Sequence, residues 1–439
     1  MPSQPTNFCS RWGWHLPSIT LSSGVQCAAL LLMAIYIWFL PVGHTIAIRH
    51  LAFFSLILLT VWSAWRYKLQ LQFPLRTAWL AYAAIALLSL AYAIDPAYSR
   101  VEIQQEIGYG VLALLIGASW ITNSHAFSNL IRIIMLGMLL MVGYALYNGV
   151  VITPFWHERL PQIRSLNNGV GTFSTYLITT IPFLIVFTWL TPAHKRTLRI
   201  ALVLLLTGSI GALFLTGNRM GFLALGIETL IGGALLFTFR GSIGYKPVMT
   251  AIVLVCIAAG SFIAVVKIRT ASQNVQVPVT APSSPVPVVE DERIQIWRVV
   301  AANIKAQPWT GGGFGIEAFK MRNPEFVRLK SLNWHAHNML LNKGVQMGIP
   351  GMLLFLALFG AALHAVWPTQ KLLSRSKPMW AYAVAGSAMI VGMFVKNMTD
   401  DFFTNDPALL FWLIIGALIT AIHHERQNTS PIATPDYQK

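Results

Sequence analysis

Charge is scarce along this chain of 439 residues. Asp, Glu, Lys and Arg make up only 10% of it, while 55% is hydrophobic and the mean hydropathy is +0.61. A soluble domain carries about a quarter charged residues, so this balance excludes an ordinary soluble enzyme and points to an integral membrane protein. Cysteine is nearly absent. Cys9, Cys27 and Cys256 are too few and too scattered for a disulfide framework or a thiolate metal site, and read as inert apolar filler. The N-terminus "MPSQPTNFCSRWGWHLPS" lacks the charged start, apolar middle and small-residue cleavage site of a secretory leader, so the first apolar run is expected to stay in the mature protein. No internal repeat is visible. The glycine-rich "TGGGFGIEAF" lacks Gly-x-x-x-x-Gly-Lys-Ser/Thr, which argues for a tight turn with close backbone approach over a nucleotide loop.

What is abundant is apolar sequence in runs near the ~20 residues that cross a bilayer. Twelve candidate spans follow, at 24–41, 46–65, 76–94, 107–122, 127–150, 170–191, 198–217, 219–239, 247–267, 337–367, 380–399 and 407–423. The fold class is therefore an all-α integral membrane protein with about twelve transmembrane helices. Its organisation reads as an N-terminal membrane region (1–267), an outward loop (268–336), a C-terminal membrane region (337–424) and a short cytoplasmic tail (425–439). "TVWSAWRY" reads as an interfacial aromatic belt.

The net charge of +16 could suggest nucleic acid, but its distribution argues for topology. With the N-terminus inside, the short inner loops hold Arg66, Lys68, Arg76, Lys195, Arg196, Arg199, Arg240, Lys246, Lys371, Arg375 and Lys377, and no acidic residue. The short outer loops hold Arg49, Arg100, Arg159, Arg164, Arg219 and Lys396 against seven acidic residues. This is the positive-inside bias. It places both termini in the cytoplasm and the long loop on the opposite side, and it calls for membrane lipids and no nucleic acid as surroundings.

Within that loop, "TASQNVQVPVTAPSSPVPVVEDE" is expected to be extended or mobile. The next stretch places Trp297, Val300, Ala301 and Ile304 at helical spacing. It predicts an amphipathic helix at the outer membrane–water boundary, ended at Pro308.

Polar residues gather on the outward side. Arg219, between two apolar runs, reads either as a snorkelling interfacial arginine or as an anion ligand in a water-filled cavity. Arg164 taken alone is an ordinary loop residue, and Arg293 taken alone pairs with Glu290 or Asp291. Their shared side of the membrane is what makes a joint pyrophosphate site worth considering. On a helix, His337, Gly344, Gly348 and Gly351 fall within about 40° of one line, at ~100° per residue. Gly344 and Gly348 then form a close-approach pair, and His337 stands at its outward end. Neutral imidazole takes a proton near neutral pH, which makes His337 a candidate base and His335 its support. A metal site is disfavoured, because His335 and His337 diverge on a helix and Asp400 and Asp401 are adjacent. The two aspartates read as groups that orient an arginine or cap a helix.

These residues resemble a known family. His337-Asn338, nine residues, then "GIPG" fits the His-[Asn/Ser/Gln]-x9-Gly-x-x-Gly pattern of the O-antigen ligases. "LTGNRMGFLAL" is similar to the arginine motif that opens the membrane domain shared by ligases and O-antigen polymerases, with Asn218 for the usual serine and Met220 for the usual glycine. "ERIQIWRVVAANIKAQPWTGGGFG" is similar to the segment that follows it. The likeness runs from about 207 to 420, and the first half resembles the family only in span count.

The resemblance implies a glycosyltransferase that moves O-antigen polysaccharide from undecaprenyl pyrophosphate to lipid A–core oligosaccharide. It implies the periplasmic face of a bacterial inner membrane and no metal or other cofactor. His337 would be the base and Arg219 and Arg293 the leaving-group ligands, with Arg164, Asn338, His335, Asp400 and Asp401 around the substrates. The alternatives are an O-antigen polymerase using the same donor, a protein O-glycosyltransferase, whose relatives carry a longer C-terminal part, or, from another class, a transporter of lipid-linked glycan. Absent repeated halves and absent paired broken helices count against the transporter.

Overall fold

The computed structural model describes residues 23–152, 165–166, 169–239, 292–329 and 335–427, with single positions 241, 260 and 263. Among the described residues there is helix and connecting chain and no strand. In chain order the helices are α1 (Ser23–Phe39), α2 (Ile46–Tyr67), α3 (Arg76–Leu88), α4 (Pro96–Glu102), α5 (Tyr109–Trp120), α6 (Ser124–Tyr147), α7 (Val170–Leu190) and α8 (Arg196–Leu215). They continue as α9 (Arg219–Thr238), α10 (Glu292–Ala306), α11 (Ala318–Arg322), α12 (Pro324–Leu329), α13 (Met339–Val366), α14 (Gln370–Arg375), α15 (Lys377–Lys396) and α16 (Asn405–Gln427).

Eight of the described helical stretches are long and apolar enough to cross a membrane. These are α2, α6, α7, α8, α9, α13 with α14, α15 and α16, so the chain is a multi-pass membrane protein. Three further runs counted as spans in the sequence form shorter helices. α1 has 17 residues, α3 has 13 and α5 has 12. At 1.5 Å per residue α5 alone reaches only about 18 Å, short of a bilayer core. The run at 247–267 and the proline-rich part of the long loop lie outside the described residues.

Short α5 is held by close packing. A Cβ on Gly117 would lie 2.1 Å from the Leu413 carbonyl oxygen, and a Cβ on Gly416 would lie 2.1 Å from that of Leu114. The two glycines therefore let the α5 and α16 backbones touch, which is the contact small residues supply where lipid removes any hydrophobic drive. Between α4 and α5, residues Ile103–Gly108 widen into a π turn, which leaves Glu106 facing the interior.

The helix ends sort into two faces. At one, Glu425 of α16 accepts from the Ser124 amide at 3.4 Å and Arg426 donates to the Trp367 carbonyl at 3.1 Å. The basic residues Arg196, Arg199, Arg375 and Lys377 belong to helix ends on this side. At the opposite face, Arg49 pairs with Asp406, the Met339 amide donates to the Asn397 carbonyl at 2.9 Å, and Phe402 lies against Gly171.

α10 is amphipathic as expected, but its apolar face is turned onto the protein. Ile296 and Val300 are fully buried in a small core with Ala318, Phe319, Ala336 and Val345, while Ala301 is exposed. The start of α13 supplies the apolar partner, with Ile304 seated over Gly344. Cys27 is disulfide-bonded, which also corrects the reading of its thiol as inert filler.

Candidate active site

α13 is where the fold builds the site, and it departs from the straight helix of the sequence reading. Met347 and Gly348 leave helical geometry, with φ at Gly348 of +67°. The backbone groups freed by this break are taken by the glycine-rich strap that follows α10. Gly312 donates to the Val345 carbonyl at 2.8 Å, Gly313 donates to that of Gln346 at 3.1 Å, and Ile349 donates to that of Pro308 at 2.8 Å. Gly344, Gly348 and Gly351 thus do not form one helix-packing stripe. Gly344 admits Ile304, and Gly348 admits the strap backbone.

α13 begins only at Met339. Asn338 is its N-cap, accepting from the Leu341 amide at 2.9 Å and donating to the Met398 carbonyl at 2.7 Å. Both histidines lie before it, so the argument that they diverge on a helix fails. His337 has a left-handed φ of +48°, and its amide donates to His335 Nδ1 at 3.0 Å. The turn brings the two rings together, with centroids 3.9 Å apart. Asn342, one turn into α13, anchors the segment by accepting from the Ala336 amide at 2.8 Å, and Trp297 of α10 donates to the Ala336 carbonyl at 2.9 Å.

Facing His337 is Asp400, from the loop between α15 and α16, with its Oδ1 3.2 Å from His337 Nδ1. With Nδ1–H donated to the carboxylate, Nε2 is left as the acceptor, which is the tautomer a general base needs. The pair is about one-fifth exposed, accessible to a substrate without being in bulk water. Asp400 therefore pairs with a histidine, and the charge of Arg293 also acts on it. Burial alone would push its carboxyl up, but the hydrogen bond with His337 and the charges of Lys396, His337 and Arg293 outweigh that and hold it below its ordinary value. Asp401 turns the other way and accepts from Asn342 Nδ2. Burial pushes it up to about 6, against the opposing charge of Lys343. His335 is buried, and burial, helped by His337 and Arg293, brings its pKa down to about 3. It is a neutral imidazole whose Nδ1 already accepts from the His337 amide.

Arg293 belongs to this group, since its charge acts on both His335 and Asp400. Arg219 sits at the same end of the molecule but no described contact joins it to the histidines. It is exposed at the first residue of α9, and the preceding Asn218 caps that helix, accepting from the Gly221 amide at 3.1 Å and donating to Ser174 Oγ at 3.1 Å. Asparagine caps as well as serine, so this departure from the family pattern leaves the local backbone intact. Arg164 lies outside the described residues.

His335, His337 and Asp400 offer ligand atoms within 4.8 Å of one another, a donor set compatible with a transition metal. The nearby charges of Arg293 and Lys396 oppose a divalent cation at that point.

Sequence reasoning missed one buried feature beside the site. Lys343 Nζ donates to both Glu106 oxygens, at 2.6 and 2.8 Å, and lies over the rings of Phe314 and Phe355 at 4.7 and 5.5 Å. Tyr82 also donates to Glu106, at 3.3 Å. This pair ties the π turn to α13 directly below Asn342. An ionisable residue inside an apolar run is itself a signal, and "LLNKGVQMG" carried it.

Residues 200–356 match the family described as O-antigen ligase, a range that takes in Arg219, Arg293, His335, His337, Asn338 and Lys343. No curated protein matches the chain.

Proposed function

We propose, from the match of residues 200–356 to the O-antigen ligase family, that the chain transfers O-antigen polysaccharide from undecaprenyl pyrophosphate to a sugar hydroxyl of lipid A–core oligosaccharide. The observation that carries this reading is the His337–Asp400 pair, set at the same end of the helices as Arg293 and Arg219. The acceptor oxygen attacks the anomeric carbon while His337 Nε2 takes the hydroxyl proton. The bond from that carbon to the pyrophosphate oxygen breaks, and its electron pair leaves with the diphosphate. A single displacement inverts the anomeric centre.

Each residue has a stated part. Asp400 holds the imidazole in the accepting tautomer and stabilises the imidazolium that forms, the role an orienting carboxylate plays in other His-based sites. Arg293 and Arg219 offset charge growing on the leaving diphosphate, where preorganised cations contribute most. Arg164 is a further candidate for that charge. Asn338 and His335 fix the backbone that carries His337, and Asp401 does so through Asn342. Two lipid-anchored substrates held at one site gain a large proximity term. The reaction faces the periplasm of the inner membrane, with both chain termini in the cytoplasm.

The polymerase reading shares the donor and differs in acceptor. Replacing His337 with Ala, with membrane levels checked, separates the two when lipopolysaccharide and the lipid-linked pool are run side by side. The ligase reading expects bare core and long polymer retained on its lipid carrier. Core bearing a single repeat unit identifies a polymerase, and unchanged long-chain lipopolysaccharide removes His337 from the chemistry.

A further inference from the structure

Lys396 is the last residue of α15 and is fully enclosed, at 0% exposure. A lysine near a membrane helix end ordinarily snorkels, carrying its ammonium out to water. This one turns inward. Its Nζ has no hydrogen-bond partner among the described residues, and it lies over the Phe402 ring, 4.9 Å from its centroid. That ring is pressed in turn against Gly171 of α7, where a Cβ would come within 2.0 Å of it. An enclosed cation without an acceptor is costly. Part of the cost is offset by the ring face and by the carbonyl end of α15. Its charge is felt at Asp400, yet the two make no direct ion pair.

We propose that Lys396 is a positioning residue for the transfer, an enclosed ammonium that sets the charge balance around the His337–Asp400 pair. The proposal rests on the reading of His337 as the base. The charged and titratable groups facing this point come from every packed element. The segment before α13 brings His335 and His337, the loop after α15 brings Asp400 and Asp401, and α10 brings Arg293. α7 carries no charged residue, with Tyr176 its only titratable group; α9 carries Arg219 at its first residue and Glu228 two turns deeper; and Asp406 of α16 is engaged by Arg49. Lys343 and Glu106 neutralise each other. Among the described residues, Asp400 is the anion paired with the imidazole. It alone would favour imidazolium, which cannot accept the hydroxyl proton. The Lys396 ammonium, whose charge acts on the same carboxylate, offsets that pull.

The test compares Lys396→Met, which keeps length and removes charge, with Lys396→Arg, which keeps charge. Both are made in the full chain and reconstituted with lipid-linked glycan and lipid A–core. The expected result is that Lys396→Met moves the acid limb of the pH–rate profile up by about one pH unit, and that Lys396→Arg returns it. Where Met is not tolerated, Lys396→Gln carries the same expectation. A residue that merely supports the fold would lower the plateau and leave the limb in place, and that outcome overturns the proposal. Nitrogen NMR of histidine-labelled protein, with the His337 signal assigned by its loss in His337→Gln, reads the protonation of His337 without turnover. An unmoved titration in Lys396→Met overturns the Lys396 role, whereas a moved titration together with persistent transfer in His337→Gln overturns only the base reading.

Discussion

Gly348 gives the account a sharp mechanical test. Its φ of +67° and ψ of −165° belong to a region that only glycine occupies readily. A Cβ there would lie 2.5 Å from the Pro308 carbonyl oxygen and 2.7 Å from that of Thr310. Both are backbone atoms of the strap, fixed by the hydrogen bonds from Gly312, Gly313 and Ile349, so neither moves cheaply. Backbone strain of about 1–3 kcal/mol and overpacking of about 1–3 kcal/mol add to a cost of about 2–6 kcal/mol for Gly348→Ala. Gly360, on the same helix, has nothing within 4 Å of its would-be Cβ. Gly360→Ala should therefore be neutral or stabilising by about 0.5–1 kcal/mol through helix propensity. Reversible unfolding in mixed detergent measures both. Because the strap positions the start of α13, Gly348→Ala should also lose transfer activity. Wild-type stability and activity in that variant, or equal effects of the two substitutions, would refute the reasoning.

Other outcomes follow from the same geometry. Lys343→Met or Glu106→Gln alone strands one buried ionic or polar partner and should cost about 3–5 kcal/mol, while the double replacement should recover much of it in the same unfolding assay. The buried neutral state of His335 lowers its pKa to about 3, so the unfolded chain binds the extra proton first. Its contribution is full above the unfolded value of about 6.5 and is lost as pH falls toward 3; thermal unfolding across that window should show a drop that His335→Gln diminishes. Asp401, raised to about 6, acts oppositely, its contribution present at low pH and lost as pH rises through 6, so Asp401→Asn should flatten that limb. Chelation with EDTA should leave the transfer rate unchanged, and a loss restored by added zinc would reassign His335, His337 and Asp400 as ligands.

The apolar helices were legible because lipid crossing demands long uninterrupted runs, and the turn at Thr216–Asn218 emerged where the two runs nearly touch. His337 was legible as a residue but not as a geometry. Hydrophobic periodicity carried the helix back to residue 337, whereas Asn338 caps it and a left-handed His337 folds the preceding segment over. That single change of conformation is what pairs the histidines and aims Asp400 at one of them. The Lys343–Glu106 pair joins residues 237 apart through a π turn that no period announces. Lys396 counted in sequence as one more outward charge, and nothing in a one-dimensional pattern tells an enclosed ammonium from a snorkelling one.

The central claim is that His337, oriented by Asp400, removes the acceptor proton. Single-turnover transfer in proteoliposomes, with donor binding measured separately, addresses it most directly. His337→Gln should bind donor normally and transfer about 10²–10⁴-fold more slowly. A rate within a few-fold of wild type, in a folded variant that still binds donor, would contradict it.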